Sequence, residues 1–113
     1  MVKATSLLAV LLAGSAWITA ATAADSQYAR SLAATCFTCH GTDGRSVGGV
    51  PPSLAGQNRD YLLKQMQESR DGKRPATIMH QHAKGYTDEQ LNLIAGYFAA
   101  RTPGPASAAP AVK

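Results

Sequence analysis

The sequence predicts an all-α domain. Three observations carry that expectation: stretches whose apolar residues recur three and four apart, capping residues at their starts, and glycine- and proline-rich segments between them. No alternating apolar and polar run is long enough to build a sheet, and no internal repeat is present. The chain has 113 residues, a formal net charge of +4 and two cysteines. That length allows one small domain, and much of the apolar content sits at the N-terminus, which leaves a thin core. Two cysteines exclude a disulfide-rich scaffold, so a bound cofactor is the leading way to complete such a core.

Residues 1–23 read as a secretory signal. Lys3 supplies the positive start, residues 7–13 the apolar stretch, and Ala21-Thr22-Ala23 a small-residue cleavage site. Cleavage after Ala23 and export to a periplasm are therefore expected. An uncleaved membrane anchor is disfavoured, because Gly14, Ser15 and Thr19 interrupt the apolar run and no basic stop follows. What remains is mildly basic but shows no Lys/Arg stripe interleaved with aromatics, so no nucleic-acid footprint is present.

The domain proper is expected at residues 24–101. Residues 26–35 place Tyr28 and Leu32 four apart among small residues, which suits a short helix approached closely by another. Residues 41–57 hold Gly41, Gly44, Gly48, Gly49 and Gly56 with Pro51 and Pro52, and read as loop. Asn58 is a good N-cap for a helix over residues 59–70 with Leu62, Leu63 and Met66 on its apolar face, ending near Asp71-Gly72. A second loop is expected over residues 73–86. Thr87-Asp88-Glu89-Gln90 forms a capping-box pattern opening a helix with Leu91, Ile94, Ala95 and Phe98 on one face. Arg101 suits the end of that helix and Pro103 stops it. Residues 102–113, rich in proline and alanine, read as a disordered tail.

The chemistry lies in Cys36-Phe37-Thr38-Cys39-His40, a C-x-x-C-H pentapeptide. Two thiols at that spacing add across the two vinyl groups of a haem, and the adjacent His40 is thereby aimed at the iron. A dithiol redox switch would want a βαβ setting, which is missing. A structural zinc site would need a fourth ligand, to which His80 or His82 could contribute, but Cys36, Cys39 and His40 are crowded for tetrahedral binding. A Cys36–Cys39 disulfide would close a small, strained loop and stabilise little. Export signal, pentapeptide and undersized core agree on one covalently bound haem c.

From these residues the chain resembles the small bacterial class I cytochromes c over nearly all of the mature domain. The resemblance implies the class I cytochrome c fold, with helices around one covalently bound haem and a C-terminal helix crossing the first. The family's Pro-x-Leu element matches Pro52-Ser53-Leu54. It implies that the Pro52 carbonyl receives the Nδ1 proton of His40 and so tunes the iron without touching it. The family's axial methionine, some way before a Ser/Thr-Asp helix start, falls on Met79. His80 and His82 are the rivals for that position, and Met66 reads as core. Gly96 and Tyr97 are expected where the terminal helices cross.

With both axial positions filled, by His40 and Met79, the chain would pass electrons and not catalyse. The alternative is a haem enzyme or gas-binding sensor whose sixth ligand is displaceable. Arg45, Arg70, Lys73, Arg74 and Lys84 would form a basic rim that steers an acidic redox partner. The stretch from Ala76-Thr77-Ile78-Met79 through Gly85-Tyr86 to Gly96-Tyr97-Phe98 is similar to the haem subunits of flavocytochrome c sulfide dehydrogenases. That likeness implies a flavoprotein sulfide dehydrogenase subunit as partner.

Overall fold

A computed structural model of the protein describes residues 25–104. The signal sequence, its cleavage site and residues 105–113 of the expected tail lie outside the described residues. Within them the chain is helical, with no strand. Residues 25–33 form α1, followed by a 3-10 turn at Ala34–Cys36 and the short α2 at Phe37–His40. A loop with one 3-10 turn, Thr42–Gly44, leads to α3, Arg59–Arg70. Two further helices, α4 at Ile78–Lys84 and α5 at Asp88–Ala99, complete the order. None of the described helices is long and apolar enough to cross a membrane.

The strongest local signals act as their chemistry demands. The Asn58 side chain accepts the Tyr61 amide at 3.0 Å and starts α3. At α5 the box closes both ways: the Gln90 amide donates to Thr87 Oγ1 at 3.2 Å, and the Thr87 amide donates to Gln90 Oε1 at 3.1 Å. The apolar face of α5 then goes inward, with Leu91, Ile94, Ala95, Tyr97 and Phe98 all buried. Together with Leu62 of α3 and Ala29 and Ala33 of α1 most of these build the core, and α3 packs against both α4 and α5.

Expectations about the terminal helices change in part. The buried stripe of α1 is Ala29 and Ala33, one residue on from Tyr28 and Leu32; Tyr28 is half exposed and its hydroxyl takes a bond from Gln90 Nε2. Alanines let α1 sit close to the core, as its small residues imply, and Leu32 packs against the same cluster. Among the described residues, a Cβ at Gly96 would meet only the Arg59 guanidinium at 3.6 Å, ordinary contact. Gly96 is therefore not required by a tight approach there.

The expected second loop also contains α4. Its seven residues carry a single buried side chain, Ala83, and Thr77 makes no side-chain cap, so neither periodicity nor capping announces it. The glycine-rich segment stays irregular and folds back on itself. The Gly44 carbonyl accepts the amides of Leu54 and Ala55 at 2.8 and 3.1 Å. Gly44 has φ +77°, and a Cβ there would lie 2.7 Å from the Phe98 ring, so both backbone and space demand glycine. Residues 102–104 lie against the same segment: Arg45 Nε donates to the Thr102 carbonyl at 2.8 Å, and Pro103 packs on Gly56.

Candidate functional site

Between α2, the glycine-rich segment, α3 and α4 lies a cavity of about 350 Å³. Leu62, Leu91, Ile94 and Phe98 form its floor from the core side. Cys36, Cys39, His40, Pro52 and Met79, the residues singled out in the sequence, all line it. The 3-10 turn and α2 present the two cysteines and the histidine within one short helical stretch, which is why a spacing of two between the thiols delivers both to one wall.

His40 is buried, and its Nδ1 lies 2.7 Å from the Pro52 carbonyl oxygen. A carbonyl only accepts, so Nδ1 carries the proton and Nε2 is the nitrogen left with a lone pair. The hydrogen bond thus fixes tautomer and ring plane together. The Pro52 carbonyl is held in turn by its neighbour: Ser53 is buried, its hydroxyl accepts the Ser46 amide at 2.9 Å, and Gln57 Nε2 donates to its carbonyl. Both cysteines are free thiols, and burial pushes the Cys36 thiol above its ordinary range, against the lowering effect of its Thr35 contact.

The rivals for the axial position separate. His80 does not line the cavity; its Nδ1 donates to the Ser69 carbonyl at 2.7 Å. His82 does line it, three residues after Met79 on the same helix. Met66 lines it too and also packs against the core. Among the described residues no group of three or more His, Cys, Asp or Glu side chains is arranged to hold a metal ion.

The residues fit a haem by their donor set: two free thiols, a tautomer-fixed imidazole with an open Nε2 and a thioether line one largely apolar cavity. The expected basic rim is thinner than its charges suggest. Arg74 lines the cavity, but Arg70 is paired with Asp88 at 2.7 Å and Asp71 at 3.0 Å, and Arg45 with Asp43 at 3.5 Å. One feature of the site lies beyond sequence reasoning: Thr35 and Tyr86, 51 residues apart, share a 2.6 Å hydrogen bond on the cavity wall. No local pattern pairs positions so distant.

The family model described as Cytochrome c matches residues 26–100. The chain is 45% identical over 67 residues to the cytochrome subunit of sulfide dehydrogenase from Chlorobaculum tepidum, covering 59% of this chain and 60% of that protein. It is 43% identical over 79 residues to cytochrome c4 of Pseudomonas aeruginosa, covering 70% of this chain and 39% of that protein. Against cytochrome c-554(548) of Halomonas halodenitrificans it is 39% identical over 70 residues, covering 59% of this chain and 84% of that protein.

Proposed function

The chain belongs to the cytochrome c family, and from that premise we propose that it is an exported monohaem carrier that accepts electrons from a sulfide-oxidising flavoprotein. As a c-type cytochrome it serves electron transfer. The observation that carries the assignment of its site is the convergence of Cys36, Cys39, His40 and Met79 on one cavity. The haem that such a site holds supplies one-electron exchange between ferrous and ferric iron.

The chain's own residues do the rest. The Cys36 and Cys39 thiols would hold the group through thioether bonds, and His40 Nε2 would be an iron ligand. Pro52 keeps that imidazole in one tautomer and one orientation through the 2.7 Å bond. Met79 would supply a second iron ligand, a neutral, soft thioether that favours ferrous iron and raises the potential relative to imidazole. The apolar floor of Leu91, Ile94 and Phe98 keeps water away. The leader pattern of residues 1–23 supports export to a periplasm, and the 45% identity to a sulfide dehydrogenase subunit supports the partner.

The test uses the exported holoprotein. Its reduced pyridine adduct is expected to report haem held through two thioethers, and the reduced wild type should resist carbon monoxide. Met79→Ala should lower the potential and bind carbon monoxide; an unchanged potential moves the ligand to His82. Rapid carbon monoxide binding by the wild type would instead favour the enzyme or gas sensor. A flavin-containing chain should accompany the native protein on affinity isolation, and recovery without one reduces the proposal to a diffusible carrier.

A further inference from the structure

We propose that His80 is a positioning residue for Met79: its imidazole ties α4 to the end of α3 and thereby sets the rotation that turns the thioether to the cavity. The inference rests on the reading of Met79 as the axial ligand.

The tie is specific in its geometry. His80 Nδ1 stands 2.7 Å from the Ser69 carbonyl oxygen and must be the donor, because the partner only accepts. Ser69 lies in the last turn of α3, where carbonyls have no intrahelical donor. The backbone amides that reach this oxygen are those of the C-cap Asp71, which also bonds the Gln67 carbonyl at 2.9 Å, and of Gly72, a long 3.4 Å away. His80 therefore adds a short side-chain donor to a carbonyl at the helix end, and its ring lies over Gly72, where a Cβ would stand 4.0 Å from Cε1.

What makes this bond matter is how few directional interactions fix the rotation of α4 where it packs on α3. A helix of seven residues has no stability of its own, and this one lacks a side-chain cap and buries only Ala83. Among the described residues, His80 makes the only side-chain hydrogen bond from α4 to another element. Successive residues lie about 100° apart around a helix. Pinning His80 on α3 thus dictates where Met79 and His82 point, and those two line the cavity while His80 does not. Without the pin, α4 can turn and the thioether loses its fixed aim.

The experiment compares wild-type holoprotein with His80→Ala and His80→Asn. Its readouts are the sulfur-to-ferric-iron charge-transfer band and the rate at which the reduced form binds carbon monoxide. His80→Ala should weaken the band and speed carbon monoxide binding about tenfold, a factor equal to ~1.4 kcal/mol and near the upper net worth of one such bond. His80→Asn should restore wild-type values, since its Nδ2–H occupies the place of Nδ1–H. If His80→Ala does not fold, His80→Leu removes the donor while keeping bulk and helix propensity. Wild-type behaviour of the donor-free variant overturns the proposal, and so does failure of His80→Asn to rescue, which would assign the effect to the ring's bulk. A wild type without the sulfur band refutes Met79 as ligand and this inference with it, a failure visible before any variant is made.

Discussion

Asp43 shows how one residue holds the loop behind the site. Its φ of 55° is the only positive value at a non-glycine position among the described residues, a conformation that costs an ordinary side chain roughly 1–2 kcal/mol. It persists because both carboxylate oxygens are engaged, one by the Tyr97 hydroxyl and the other by Arg45. The Tyr97 hydrogen bond, helped by Arg45, Arg30 and Arg101, holds the carboxyl below its usual range. Burial, with Asp43 beside it, holds the Tyr97 phenol above its own. A carboxyl depressed in the folded state contributes stability that is present above its unfolded value of ~3.9 and lost as pH falls through the folded value. The raised phenol contributes below about pH 10 and loses that contribution as pH rises through its folded value. Tyr97→Phe keeps the ring contacts but removes the bond. Urea midpoints measured from neutrality down to about pH 2 should then show a smaller acid loss than in wild type. An unaltered acid slope would mean that Asp43 is not held by Tyr97. Neither residue was singled out for this bond, because the two are 54 positions apart and no pattern links them.

At the scale of elements, α5 and α3 were legible because their signals are local. Thr87 and Gln90 satisfy each other's amides within four residues, and Asn58 does the same for Tyr61. Thr87→Ala should therefore cost about 1 kcal/mol, within a range of 0.5–2, read as a lower denaturant midpoint at an unchanged slope. A loss much smaller than this would show that packing of Leu91 and Phe98 alone holds the helix start. The helix α4 was not legible. It packs on α3 and is tied there by the His80–Ser69 bond, and such tertiary support leaves no periodic trace in seven residues. On α1 the small residues carry the approach: Ala29 and Ala33 belong to the same buried cluster as Leu62 and Ala95, with Leu32 packed against it, while Tyr28 stays half exposed.

Among the described residues, the helices close around a cavity. Leu91, Ile94 and Phe98 are nearly inaccessible to solvent, yet all three border a cavity of about 350 Å³. An apolar cavity left without contents forfeits the contacts of its lining. The double variant Cys36→Ala, Cys39→Ala, which cannot tether a group there, should consequently be largely unfolded, with most far-ultraviolet helical signal lost. Retention of full helicity would show that the helices support themselves. The same arrangement explains the glycine-rich segment: with Gly44 under Phe98, it brings the Pro52 carbonyl to His40 without a regular element of its own.

By itself the sequence determined the all-helical class, the two long helices with their caps, and the C-x-x-C-H pentapeptide, because each is an interaction among residues a few positions apart. Its resemblance to a known family added Pro52 and Met79 as expected partners of the site. Only the tertiary structure decided that His80 turns to α3 while His82 stays on the cavity wall, that alanines and not Tyr28 seat the first helix, and that Tyr97 pins Asp43. Those outcomes depend on which surfaces meet across tens of residues, and local spacing carries no record of such meetings.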